Sequence, residues 1–334
     1  MSNQRPNRRS EYLTRYLNKQ TMFPRPKRPG GHPTNTPDTP DTADAQDGFA
    51  RFDAAGNGIV PVAGLSIFDP VFMGTDETGY RAEVTLPYRN LLMGGEPGSG
   101  KSVALNNVVA HCALCTDVQL WGFDGKRVEL GLWRAIMNRF AANNVYDAID
   151  CLGELQVVMD DRYDYLDSVG RRKIIRPDVK NKMPFIACII DEIAYYSATA
   201  GDKRTQEEFS IRLRDIVARG RAAGVIAIGA TQRPSADIIP PSLRDIWGYR
   251  CAFRCTNDSS SDIILGPGWA KQGYSAKTIA PEDRGVGWLL AEGGIPRRFK
   301  AAYLTDEHIE TLVRRAAWIR RNGDGTDGQG GEAA

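Results

Sequence analysis

The sequence has no apolar run approaching the roughly 20 residues that a bilayer-spanning helix needs; the longest near its middle runs from Phe185 to Ile190. A membrane span is therefore not expected, and nothing at the N-terminus has the form of a secretory signal peptide. Cysteine is sparse as well. Six residues, at 112, 115, 151, 188, 251 and 255, lack the density of a secreted disulfide scaffold, so reduced thiols in a cytoplasm are expected. Cys112-x-x-Cys115 beside His111 has the spacing of half a zinc site, but no second pair stands at a matching distance, and cysteines in an apolar helical stretch read as packing. Net charge is nearly absent too, at +2.

That small net charge conceals an asymmetry. Residues 1–30 carry eight Lys and Arg against Glu11 alone, whereas residues 31–50 carry Asp38, Asp41, Asp44 and Asp47 and no Lys or Arg. Residues 1–57, rich in Pro, Thr, Asp, Gly and Arg, are expected to be a disordered tail apart from a short helix around Tyr12 to Leu17. Its basic part suits DNA phosphates or an anionic membrane surface, and equally a solvated tail. Residues 321–334 are Gly-rich and acidic and read as a flexible end.

What lies between is long enough, in a chain of 334 residues with 42% hydrophobic content, to bury a large core. Residues 58–90 are expected to form a small β element, turning at Thr75-Asp76-Glu77-Thr78-Gly79. After it, strands at Asn90–Met93, Leu120–Phe123, Phe185–Ile190 and Val225–Ala230 alternate with helices from Lys101, around Tyr146–Ser168 and over 205–223. Such alternation predicts an α/β domain over 58–320, a mostly parallel central sheet flanked by helices.

The strongest local signal is Gly95-Glu96-Pro97-Gly98-Ser99-Gly100-Lys101-Ser102, which fits G-x-x-x-x-G-K-[ST] between an apolar strand and a helix. Glycines let backbone N–H groups wrap a phosphate chain, and the helix that follows presents its positive end to the same anion. All eight residues are thus candidates to bind ATP, with Lys101 on the β- and γ-phosphates and Ser102 on Mg²⁺. Phe185–Ile190 then delivers two adjacent carboxylates at the carboxyl end of a buried strand: Asp191 to hold Mg²⁺ and Glu192 to polarise the attacking water. Val225–Ala230 ends at Thr231-Gln232-Arg233-Pro234, where a side chain can sense the γ-phosphate. A basic stretch from Arg171-Arg172-Lys173 to Lys182 reads as a solvated charged loop or, as the resemblance stated next implies, as part of a ring face.

With these residues in view, the chain resembles the motor domain of the FtsK/SpoIIIE/HerA type. The resemblance runs from about 68 to 310 through Asn90-Leu-Leu-Met-Gly-Gly-Glu-Pro-Gly-Ser-Gly-Lys-Ser102, Ile189-Ile-Asp-Glu192, Arg219-Gly-Arg-Ala-Ala-Gly224 and Ala230-Thr-Gln-Arg-Pro-Ser235. Phe123-Asp-Gly-Lys-Arg-Val-Glu-Leu-Gly131 is similar to short actinomycete plasmid and integrative-element transfer translocases. The resemblance implies a RecA-like fold, a ring, expected to be hexameric, around double-stranded DNA, and ATP sites shared between neighbouring subunits. It further implies that Gln232 is the sensor and that Arg221, with Arg250 in reserve, reaches into the adjacent subunit's site. Arg233 and Arg244 are the expected contacts to DNA phosphates. At Thr256 to Asp262, where relatives are often basic, this chain has acids and hydroxyls, and Asn257 reads as a helix N-cap. Neither a membrane anchor nor a winged-helix reader is expected, which leaves a partner protein to supply the membrane link or the DNA address. Two other functions compete: a secretion or coupling ATPase that moves or recruits protein, and a nucleotide-regulated DNA-binding replication factor that does not translocate.

Overall fold

The computed structural model describes residues 50–52, 59–61, 64–180 and 183–322. The tail expected over 1–57 therefore lies almost wholly outside the described residues, and so do Lys182 and nearly all of 321–334. Two short strands, β1 (Ala50–Phe52) and β2 (Ile59–Pro61), pair antiparallel with each other.

The main sheet has ten strands. Six are mutually parallel: β5 (Leu91–Gly94), β6 (Val118–Phe123), β7 (Arg139–Ala141), β8 (Phe185–Ile190), β9 (Val225–Thr231) and β10 (Tyr249–Phe253). Every residue of β6, β8 and β9 is buried, as continuous apolar runs require when helices cover both faces of a sheet. An antiparallel wing continues from β10 through β11 (Val286–Ala291) and β12 (Arg297–Ala301) to the hairpin of β3 (Val71–Asp76) and β4 (Arg81–Val84). The strand order is β4-β3-β12-β11-β10-β5-β9-β8-β6-β7. This is the α/β P-loop NTPase architecture expected from the sequence, with a larger antiparallel part than the helix–strand alternation suggested.

Helix α1 (Lys101–Leu114) packs against β3 and β6. Helix α2 (Val145–Ser168) starts at Asn144, whose side chain accepts from the Tyr146 N–H at 3.1 Å. After the short α3 (Arg176–Lys180), α4 (Lys203–Arg219) is capped by Asp202, which accepts from the Thr205 N–H at 2.8 Å. Its buried Phe209, Leu213, Ile216 and Val217 follow the i, i+4, i+7, i+8 spacing that makes one apolar stripe. The helix ends at Arg219, short of the 223 expected. Val225 N–H donates to the Gly220 carbonyl at 2.8 Å, and a Cβ on Gly220 would lie 2.7 Å from the Val225 oxygen, so the chain has to turn there to enter β9. Three helices complete the domain: α5 (Pro241–Arg244), α6 (Asp258–Leu265) and α7 (Asp306–Asn322). Asn257 caps α6, accepting from the Ser260 N–H at 2.7 Å.

Two polar side chains tie the layers together. Asn90, fully buried, donates to the Val217 carbonyl at 2.8 Å and accepts from the Ala227 N–H at 2.9 Å, fixing β5 against α4 and β9. Arg320 of α7 reaches the far end of α1, where its guanidinium donates to the carbonyls of Cys112, Ala113, Cys115 and Val118 at 3.0 to 3.3 Å. Three of these carbonyls lie at the C-terminal end of α1, the negative end of the helix dipole, and the fourth, Val118, opens β6, so one cation caps the helix and ties it to the sheet.

Candidate nucleotide-binding and catalytic site

The register of the parallel strands decides where chemistry can happen. Gly94 pairs with Thr231, Gly229 with Ile190, and Ile190 with Phe123, so residues 95, 124, 191 and 232 all leave the sheet at one edge. That edge, outside the carboxyl ends of the strands, is where open α/β sheets hold ligands.

The loop 95–100 is held on three sides. Gly95 N–H donates to the Thr231 carbonyl at 3.2 Å, Glu96 N–H to the Arg254 carbonyl at 2.9 Å, and Gly285 N–H to the Ser99 carbonyl at 2.8 Å. The Glu96 carboxylate also takes the Arg254 guanidinium at 2.6 Å and the Thr256 hydroxyl. Gly98 and Gly100 have φ of 73° and 97°, the left-handed region that side chains avoid. At Gly100 there is no room for one in any case, since a Cβ would lie 2.2 Å from the Gly285 nitrogen. Ser99 is buried and its hydroxyl has no hydrogen-bond partner among the described residues.

Lys101, 3% exposed, donates to the Asp191 main-chain carbonyl at 3.2 Å and stands 3.6 Å from the Asp191 carboxylate. That carboxylate is fully buried, and neither oxygen has a hydrogen-bond partner among the described residues. Burial pushes its pKa up to about 6; the Lys101 ammonium opposes the rise, and Glu129, Asp124 and Glu192 add to it. A buried carboxylate with both oxygens free beside a phosphate loop is chemically suited to a hard divalent cation, and Ser102 opens the facing helix turn. The residues present therefore fit Mg²⁺.

Glu192 is engaged in a way the sequence did not suggest. It accepts from the Thr231 hydroxyl at 2.8 Å, from the Gln232 N–H at 3.0 Å and from the Ala194 N–H at 3.3 Å, with Lys126 Nζ at 3.9 Å. The Thr231 hydroxyl in turn accepts from the Arg233 N–H at 3.1 Å. Glu192 is thereby attached to the end of β9. Tyr195–Thr199, just beyond it, forms a π-helical turn, an arrangement concentrated at functional sites. Asp124 shapes the neighbouring loop by accepting the N–H groups of Lys126, Arg127 and Leu130.

The loop 95–100 and the start of α1 open onto a cleft of about 500 Å³. Its walls include Glu96, Lys101, Ser102 and Gln232, all expected from the sequence, together with Glu129, Arg284, Lys300 and Tyr303, which were not. Sequence reasoning had no means of finding the last three, because they belong to the antiparallel wing and follow no recognisable motif. The remaining expected residues stand apart. Arg221 sits at the opposite end of β9, its Nε donating to the Tyr88 carbonyl and its terminal nitrogen 3.4 Å from Glu292. Arg250 is half-buried, 3.9 Å from Asp245. Arg233 is exposed on the loop after β9, near Asp237, whereas Arg244 is buried, with its Nε on Asp245 at 2.7 Å. Arg171 is bound to Asp178 at 2.6 Å, and Lys173 lies over the Tyr88 ring, so these two cations of the stretch are bonded into the domain.

Residues 67–182 match the model of the FtsK/SpoIIIE family. The chain carries an FtsK/SpoIIIE domain. Among curated proteins, it is similar to the DNA translocase FtsK of Staphylococcus epidermidis, 29% identical over 264 residues, covering 73% of this chain and 31% of that protein. The DNA translocase FtsK of Listeria monocytogenes is 30% identical over 242 residues, covering 67% of this chain and 30% of that protein. The chain thus spans about a third of the length of the curated relatives it matches. Among solved structures, the FtsK/SpoIIIE domain resembles the pCW3 conjugation coupling protein TcpA, in a monomer form with ATPγS, at 21% identity and a TM-score of 0.64; the match covers 79% of this chain and 76% of that one. It also resembles the cytoplasmic domain of the type VII secretion ATPase EccC of Thermomonospora curvata, at 22% identity and a TM-score of 0.59, covering 75% and 31%. At such identities these two likenesses speak to the fold. Among the described residues no helix is long and apolar enough to cross a membrane.

Proposed function

We propose that this FtsK/SpoIIIE domain hydrolyses ATP at a site completed by a second copy of the chain, and that the assembled ring moves double-stranded DNA. One observation supports shared sites above all. Lys101, Asp191, Glu192 and Gln232 meet at one end of the parallel strands, while Arg221 lies at the other. The seven residues of β9 separate Arg221 from Gln232, a strand length of roughly 20 Å, too far for one side chain to bridge. Arg221 can therefore act on phosphates only in the site of a neighbour.

Within the cleft, the loop N–H groups and Lys101 bind and orient the phosphates. Mg²⁺ held by Ser102 and Asp191 would neutralise charge on the β- and γ-phosphate oxygens. Glu192, oriented by the Thr231 hydroxyl, takes a proton from the attacking water, and Gln232 aligns that water. Arg221 of the next subunit spreads positive charge over the transferring phosphoryl group, so turnover depends on assembly. Arg233, exposed beyond the sensor, meets DNA phosphates and so carries no sequence preference. Arg244 needs to leave Asp245 to do the same.

The test is steady-state ATP hydrolysis with and without long linear duplex, over a range of salt and protein concentrations. Turnover is expected to rise with duplex more than with single strands, to fall as salt rises, and to climb steeply with protein. ATP binding with turnover indifferent to DNA would refute DNA movement and point to an ATPase that moves or recruits protein. Glu192→Gln and Arg221→Ala are each expected to be inactive alone. Mixed, they should regain turnover, because about a quarter of the interfaces in a random equal mixture join an intact Glu192 to an intact Arg221 across a head-to-tail contact. A mixture as inactive as its components would show that the sites are not shared.

A further inference from the structure

The cleft extends well past the phosphate loop, toward the antiparallel wing. There it is walled by Arg284 and Gly285, just before β11, by Lys300 and Ala301 of β12, and by Tyr303. This wall is bonded to the loop: Gly285 N–H reaches the Ser99 carbonyl, and Ala301 N–H reaches the Gly285 carbonyl, both at 2.8 Å. Tyr303 is 72% exposed and has no hydrogen bond or ring contact among the described residues. Arg284 and Lys300 are exposed as well, and neither forms an ion pair among the described residues; the Lys300 ammonium rests on the Arg284 carbonyl.

The strand order gives a bound triphosphate its direction. Asp191, Glu192 and Gln232 follow β8 and β9 on one side of β5, whereas β10, β11 and β12 lie on the other. Hydrolysis places the γ-phosphate beside Glu192 and Gln232. The nucleoside end of the same molecule is then directed across the loop, toward the wing. We infer that the wing forms the nucleoside half of the site, with Tyr303 stacking on the base and Arg284 and Lys300 holding the phosphate nearest the sugar. The inference rests on the nucleotide reading proposed above and adds to it the polarity of the ligand and three residues. A ring face reads no hydrogen-bonding edge, so this subsite takes purines with little discrimination between adenine and guanine.

The test uses the full chain with Mg²⁺ and two probes, ATP and inorganic tripolyphosphate, each titrated against a fluorescent nucleotide analogue. Tyr303→Ala is expected to weaken ATP roughly ten- to hundredfold, the range for loss of one stacked base, while leaving tripolyphosphate unchanged. Tyr303→Phe should bind both as the unaltered chain does. Arg284→Ala should weaken both probes together, because tripolyphosphate also fills the phosphate position nearest the sugar. Equal losses of both probes in Tyr303→Ala would show general damage to the cleft and overturn the assignment, as would no loss of either. Retained ATP affinity with turnover that no longer climbs with protein concentration would instead assign Tyr303 to a contact between subunits, and would also overturn it. If the unaltered chain binds tripolyphosphate but gains nothing from a nucleoside, the subsite fails while the phosphate site stands; if it binds neither, the nucleotide reading itself fails.

Discussion

Gly100→Ala isolates what the wing contributes to the phosphate loop. The left-handed backbone at φ 97° costs a residue with a Cβ about 1–2 kcal/mol. The added carbon would also lie 2.2 Å from the nitrogen and 2.3 Å from the Cα of Gly285, both main-chain atoms that cannot rotate aside. Gly285 must move, and with it the two 2.8 Å bonds to Ser99 and from Ala301, each worth about 1 kcal/mol. The sum is about 3–4 kcal/mol, or a fall in Tm of roughly 10 °C for a domain of this size. Gly98→Ala is the control. It has a similar φ of 73°, but its Cβ would meet nothing within 4 Å, so only the strain of about 1 kcal/mol applies, with a fall in Tm of roughly 3 °C. Thermal melts of both variants, with an ATP titration of Gly100→Ala, provide the measurement. Gly100→Ala should melt well below Gly98→Ala and bind ATP at least tenfold more weakly. Equal melting temperatures would refute the reasoning, because strain alone would then explain both.

Thr231→Val removes the hydroxyl that donates to Glu192 and accepts from Arg233 N–H; kcat is expected to fall about tenfold with ATP affinity unchanged, and Thr231→Ser to restore it. An unaltered kcat would mean that Thr231 does not position the carboxylate. Arg320→Ala removes a donor from four carbonyls, three at the end of α1 and that of Val118 in β6, and should cost about 3–5 kcal/mol for the acceptors left without a partner, read as a fall in Tm of roughly 10 °C. Arg320→Lys should recover only part of this, since a single ammonium does not match the spread of the guanidinium.

Much of this was legible in the sequence because the signals are local. Phe185–Ile190 is a strand with the boundaries its apolar run implies, and β9 and α2 differ from expectation by a residue at one end. The positions of the loop 95–100 and of Asp191 were likewise readable, since each directly follows a buried apolar strand. What escaped depends on pairing between distant segments. Nothing in Val286–Ala291 or Arg297–Ala301 announces that these strands connect β10 to the early hairpin of β3 and β4. The hydrogen bonds of Glu192 depend on Thr231, some forty residues later. Arg244 looked like a free cation in the sequence, but the turn of α5 brings it against Asp245 and buries it. Helix α4 was drawn too long because Gly220 is helix-compatible by itself; the strand that follows is what ends it.

The bond between Gly285 and Ser99 also concerns the order in which the domain is made. The phosphate loop leaves the ribosome roughly 185 residues before the segment that braces it, which at about 5–20 residues per second is an interval on the order of ten to forty seconds. Through that interval the loop has its glycines and its lysine but no wall behind Gly100, and the side of the cleft formed by Arg284, Lys300 and Tyr303 does not yet exist. A nucleotide that binds only the finished site stabilises only the finished chain. ATP therefore cannot assist the early steps of folding, and its stabilisation becomes available only as β11 and β12 complete the sheet.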